Sequence, residues 1–122
     1  MGKVILILEN DPKNLKLVTV ILQVSGYATL QATDGKQGVE LARKEKPDLI
    51  LMDIRIPVMD GLEATKLLKN DGATRDIPVI ALTAYAMKGD EEKMRAAGCD
   101  GYITKPIDIK GFLKKISEVI SK

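Results

Sequence analysis

Pro47-Asp48-Leu49-Ile50-Leu51-Met52-Asp53 runs directly into Ile54-Arg55-Ile56-Pro57-Val58-Met59-Asp60-Gly61. The apolar run before Asp53, entered from Pro47-Asp48 and left through a Pro/Gly-rich stretch, reads as a strand buried on both faces. A carboxylate at its C-terminal end emerges at the rim where open α/β sheets bind ligands and do chemistry. Other apolar runs deliver polar groups in the same way. Glu9-Asn10-Asp11 follows Val4-Ile5-Leu6-Ile7-Leu8, Thr83 follows Val79-Ile80-Ala81-Leu82, and Lys105 follows Gly101-Tyr102-Ile103-Thr104. Acids, a hydroxyl and an ammonium at separate strand ends point to a site that handles phosphoryl groups.

Outward from these strands the pattern alternates. Asp11-Pro12 supplies a helix cap and the residue best tolerated at the first helical position. Leu15, Val18 and Leu22 then recur at helical spacing until Gly26, and Tyr27 to Ala32 reads as a second strand. Asp34-Gly35-Lys36-Gln37 and Asp60-Gly61-Leu62-Glu63 resemble capping boxes opening the second and third helices. The second ends near Lys46-Pro47, and Ala64, Leu67 and Leu68 are expected on the inner face of the third. Residues 48–53 form the third strand, Ile77-Pro78 introduces the fourth, and Gly89 to Ala97 is a fourth helix closed by Gly98. A short strand at 101–104 precedes a last helix, capped by Asp108, with Ile109, Phe112, Leu113, Ile116 and Val119 on one stripe. The expected fold is therefore α/β: a doubly wound (βα)5 sandwich, flavodoxin-like, with a parallel sheet covered on both faces and right-handed crossovers. Strand order 2-1-3-4-5 would gather the ends of strands one, three, four and five around one pocket.

Bulk composition narrows the function. A chain of 122 residues, 45% hydrophobic and 30% charged, is expected to form one globular domain over 1–122, with no output domain within it. Lys and Arg total 19 against 17 acids, a net charge of +2, and the interspersed signs argue against a nucleic-acid surface. No apolar run approaches the ~18 residues of a membrane span. The single cysteine, Cys99, cannot form an internal disulfide, so a reducing cytoplasm is the expected setting and Cys99 reads as a packed side chain. The chain contains no histidine, which removes Ser-His-Asp and Cys-His catalysis, His-ligated zinc and a phosphohistidine of its own. GxxxxGK[ST] and GxGxxG are both missing, and with them the phosphate-cradling loops of nucleotide enzymes.

Taken in order, Glu9-Asn10-Asp11-Pro12, Pro47 to Asp53, Pro57-x-Met59-Asp60-Gly61, Ala81-Leu82-Thr83-Ala84 and Lys105-Pro106 resemble a CheY-like response-regulator receiver domain over essentially the whole chain. Thr83 to Glu91, with Ala97-Gly98-Cys99, further resembles single-domain regulators of the DivK type and the receivers of hybrid sensor kinases. The resemblance implies a signalling switch that catalyses its own phosphorylation and dephosphorylation, with no separate enzymatic activity. Asp53 would accept a phosphoryl group from a phosphohistidine on a histidine kinase or histidine phosphotransferase. Mg2+ would be held by Glu9, Asn10, Asp53 and the backbone carbonyl of Arg55. Lys105, through a cis bond to Pro106, and Thr83 would contact the phosphoryl oxygens. Thr83 and Tyr102 would form the switch that alters a downstream partner's surface on the fourth helix, fifth strand and fifth helix, including Ala86, Met87, Lys88 and Ile107.

One departure stands out. The family's acid pair aligns with Glu9 and Asn10, so the second position offers an amide oxygen without charge, and the adjacent Asp11 reads as a helix cap. Arg55 and Tyr85, two residues beyond Asp53 and Thr83, are bulky at positions that in the family flank the path of the hydrolysing water, and slow phosphoryl loss is expected. Two other readings stay open. A degenerate receiver would act as a phosphorylation-independent adaptor, with Asn10 as its support. A flavodoxin-like cofactor binder would share only the fold, with one Phe, three Tyr and no Trp available to sandwich a flavin.

Overall fold

In the computed structural model, residues 3–53, 61–83, 88–104 and 107–120 are described, the side chains of 88–91 excepted. Strands and helices alternate: β1 (Val4–Leu8), α1 (Pro12–Val24), β2 (Ala28–Ala32), α2 (Gly35–Glu45), β3 (Leu49–Asp53), α3 (Gly61–Lys69), β4 (Val79–Thr83), α4 (Lys88–Ala97), β5 (Gly101–Thr104) and α5 (Ile109–Ile120). The five strands pair in parallel in the order β2-β1-β3-β4-β5, as the sequence led us to expect. The second and third strands each begin one residue later than expected, at Ala28 and Leu49.

Alternation along the strands sorts the core into two halves. Leu6, Leu8, Ile50, Met52 and Val79 meet Val39 and Ala42 of α2 and Ala64 and Leu68 of α3. Ile5, Ile7, Leu49, Leu51, Ile80 and Leu82 meet Val18, Ile21 and Leu22 of α1 and Phe112 and Ile116 of α5. The central strands are apolar throughout because both of their faces are covered. Two positions depart from the sequence reading. Leu67 is 43% exposed and Ile109 52% exposed, each on the outer edge of its helix's apolar stripe. Cys99 packs against the α2/α3 half of the core, and burial pushes its thiol pKa up.

The strands are fixed at both ends. At the N-terminal edge, Asp48 Oδ2 accepts from Val4 N at 2.8 Å while its own N–H donates to Val4 O. Asp100 repeats the device with Val79, its carboxylate accepting at 2.8 Å and its amide donating at 2.7 Å. Each acid closes the otherwise unpaired backbone of a neighbouring strand's first residue. Helix starts follow the expected capping chemistry. Asp11 Oδ1 accepts from Lys13 N at 3.1 Å, and Asp34 Oδ1 accepts from Gln37 N at 2.8 Å. Gln37 Oε1 in turn accepts from Thr33 N at 3.0 Å, so the return bond of the expected box goes to the residue before the cap and not to Asp34 itself. α4 ends at Gly98, whose φ of +106° suits glycine alone without strain.

Candidate functional site

The parallel register brings the acids together. Leu8 pairs with Met52, so Glu9, the next residue, comes level with Asp53 on the adjoining strand. Neighbouring strands run ~4.8 Å apart, which makes these carboxylates close neighbours. Both are buried, Glu9 completely and Asp53 at 7% exposure. Ile5, Ile7, Leu49 and Leu51 face the α1/α5 half of the core, and two-residue alternation directs Glu9 and Asp53 to that same side. Glu9 stays in the sheet pattern because its N–H donates to Ala32 O at 3.1 Å. Its Oε2 accepts from the Asp11 amide at 3.4 Å.

Asp11 therefore works in two directions. Its amide faces Glu9, while its carboxylate is turned to the first turn of α1 as the N-cap. Asn10 is exposed at the same rim. Among the described residues no group of three or more acidic, Cys or His side chains assembles as a metal cage. The donor set at the rim is two buried carboxylates with a neutral amide beside them, all oxygen, and hard oxygen donors suit Mg2+.

Thr83 closes β4 and pairs with Thr104 of β5, while Asp53 pairs with Leu82. Thr83 thus stands one residue beyond the level of Asp53 on the next strand. Tyr102 pairs with Ala81, two residues before Thr83 on the same face, so the two proposed switch residues share one side of adjoining strands. Tyr102 is half-buried. Arg55, Tyr85, Lys105, Pro106, Ala86, Met87 and the side chain of Lys88 lie outside the described residues. The pairing sets Glu9 level with Asp53 on one side of the sheet, with Asn10 exposed at the rim; Thr83 ends β4 one residue further on, on the alternate side of the pleat. The Asp11 amide is the contributor that reading the sequence missed. A backbone donor leaves no mark on residue type; the available signal was an acid two residues before a helix cap.

The family profile described as the response regulator receiver domain matches residues 5–117. The polar-differentiation response regulator DivK of Brucella anthropi is 48% identical over 120 residues, covering 98% of each chain. The receiver domain of a sensor histidine kinase from Pseudomonas aeruginosa PAO1, solved with a magnesium ion coordinated in its active-site cleft, is 35% identical with a TM-score of 0.93 over 100% of both chains. The chemotaxis protein CheY4 of Vibrio cholerae is 26% identical, with a TM-score of 0.93 over 98% of this chain and 99% of that one. Five parallel strands in this order, two acids meeting at their ends and a profile match across nearly the whole length place the chain in the response regulator receiver domain family.

Proposed function

We propose that the protein is a phosphorylation-driven switch in which Asp53 receives a phosphoryl group from a phosphohistidine on a partner kinase or phosphotransferase. The observation that carries this reading is the meeting of Glu9 and Asp53, both buried, at the C-terminal ends of adjoining strands. A carboxylate is a competent nucleophile: an Asp53 oxygen forms the new bond to phosphorus as the bond to the imidazole nitrogen breaks, and the imidazole leaves. Such transfer demands alignment and charge neutralisation above all. Mg2+ bound at Glu9, Asp53, the Asn10 amide and the Arg55 carbonyl would offset the repulsion between carboxylate and phosphoryl oxygens.

Within this reading the chain's own groups divide the work. Burial keeps bulk water from Asp53, so each nearby charge acts strongly. Thr83 donates its hydroxyl to one phosphoryl oxygen, and Lys105 brings its ammonium to another. Thr83 moving toward the phosphoryl group vacates space on the face it shares with Tyr102, whose ring turns inward. The α4/β5/α5 surface changes as a result, by a shift between two populated states.

A second reading, a constitutive adaptor, is favoured by one observation: Asn10, exposed at the rim beside Glu9, offers a neutral amide and no charge. Incubation with acetyl phosphate separates the two. The switch gains one phosphoryl group by mass, only with Mg2+ present and not in Asp53→Asn. No gain under any condition would leave the adaptor standing.

A further inference from the structure

β5 closes the sheet, and among the described residues its one strand partner is β4. Its outer backbone edge is bordered by two open hollows of about 280 Å³ each. One lies toward α4, against Arg95, Gly101 and Tyr102. The other lies toward α5, against Ile103, Thr104 and Asp108. Tyr102 and Lys115 border both, so every residue of β5 faces open space on one side or the other.

Gly101 explains the position of Lys115. A Cβ at 101 would stand 2.9 Å from Lys115 Cε and 3.4 Å from its Nζ. Because 101 is glycine, the lysine stem lies down against the strand and stations its ammonium between the hollows. Lys115 is half-buried in consequence. Charge differs along the edge. Arg95 and Lys115 border the Gly101 end together with Asp100, whose carboxylate is already engaged by Lys69 Nζ and the Val79 amide, whereas the carboxylate of Asp108 caps α5 at the Thr104 end, accepting from Gly111 N at 3.2 Å.

An open sheet edge is a template for an added strand: backbone hydrogen bonds give affinity and alternate side chains give specificity. A lysine across such an edge deters uncharged strands, since its ammonium would be desolvated without a partner. A strand bringing a carboxylate to that point converts the deterrent into an ion pair. We propose that β5 accepts an extended acidic segment of a partner protein as a sixth strand, with Lys115 pairing its carboxylate at the Gly101 end. The proposal rests on the α4/β5/α5 output face described above and names the chemistry of the partner that face takes.

The test is an NMR titration of the full-length 15N-labelled protein with two blocked peptides, Val-Glu-Val-Glu-Val and Val-Lys-Val-Lys-Val. The acidic peptide shifts the amides of 101–104 and 115, and the basic one does not. Lys115→Gln and Gly101→Ala each weaken binding by about tenfold, and Lys115→Arg restores most of it. Gly101→Ala displaces only the far end of a flexible side chain, so it leaves the fold intact. Equal response to both peptides, silence at β5, or undiminished affinity in Lys115→Gln overturns the proposal. So do β5 shifts that track protein concentration alone, because a second copy then occupies the edge. If acidic selectivity and Lys115 dependence hold but acetyl phosphate-treated protein and Asp53→Asn bind alike, strand addition stands and the phosphorylation-coupled reading falls.

Discussion

Asn10 and Asp11 exchange duties at the lip of the site. The residue whose carboxylate would add charge beside Glu9 has none, and the next residue spends its carboxylate on the Lys13 amide. There the charge is also favoured by the N-terminal end of the α1 dipole. Supplying the missing carboxylate should tighten metal binding, since a unit charge at ~4 Å contributes between ~1 and ~4 kcal/mol depending on the local dielectric. Asn10→Asp is therefore expected to raise Mg2+ affinity about fivefold or more by titration calorimetry. Asp11→Ala should behave differently. It removes a cap worth ~1 kcal/mol but keeps the backbone amide that faces Glu9, so thermal stability falls while Mg2+ affinity holds. Loss of metal binding in Asp11→Ala at unchanged fold would make Asp11 a ligand and reverse the assignment. Arg55 and Tyr85 carry a kinetic expectation. If their bulk obstructs in-line attack by water, Arg55→Ala with Tyr85→Ala shortens the lifetime of the phosphorylated protein after acetyl phosphate is removed. An unchanged decay would dismiss the idea.

Element packing turns on how closely α2 approaches β1. Gly38 lies on the buried face of α2, and a Cβ there would fall inside the van der Waals surface of Leu8, which is itself completely buried. Alanine at a helical glycine ordinarily gains up to ~1 kcal/mol in propensity, whereas overpacking a core costs ~1–3 kcal/mol. The steric term should win. Gly38→Ala is expected to lower the urea midpoint, with Gly72→Ala as the contrast. A Cβ at Gly72 meets nothing within 4 Å and its φ is not positive, so that change should stabilise by ~0.4–1 kcal/mol. Equal shifts in the two variants would mean that Leu8 yields freely. Contacts of this kind mark the boundary of what the sequence disclosed. Strands were legible because central ones are apolar throughout, and helices because Asp11, Asp34 and Asp108 announce their starts. The acids of the site were legible because polar residues terminate apolar runs. Leu67 and Ile109 were misplaced because a stripe three or four residues wide does not reveal its own edge. The sharing of one face by Thr83 and Tyr102 depends on the pairing of β4 with β5, a register that neither strand contains alone. The reciprocal bonds of Asp48 with Val4 and Asp100 with Val79 were hidden for the same reason.

Across the whole molecule, the two ends of the sheet carry different loads. The C-terminal ends of the strands hold the buried Glu9 and Asp53 and the half-buried Thr83, a concentration of polar groups that costs stability. The opposite end holds a compensating knot centred on Lys69, at the end of α3. Its Nζ donates to Ile77 O at 2.9 Å, to Asp100 Oδ2 at 3.0 Å and to Arg75 O at 3.3 Å. One ammonium thereby ties α3, the connection into β4 and the turn into β5. Close by, Thr74 Oγ1 donates to Leu68 O at 2.7 Å, and Arg43 pairs with Asp71 at 2.6 Å. The Asp100 side chain is 44% exposed, so the ionic share of the knot is small and the carbonyl bonds carry most of it. Lys69→Met keeps the stem that packs near Gly98 and removes the donors, which should cost ~1–3 kcal/mol. Since the knot and the acids occupy opposite ends, the lost stability should leave the chemistry alone. Urea unfolding and acetyl phosphate labelling, run on the same preparation well below the unfolding midpoint, test both halves of that statement. The expected result is a lower midpoint with phosphoryl incorporation at the parent rate. A midpoint that does not move would mean water replaces the ammonium without loss. Slower labelling of a fully folded variant would mean that the far end of the sheet reaches Asp53 after all, and the separation of loads would be wrong.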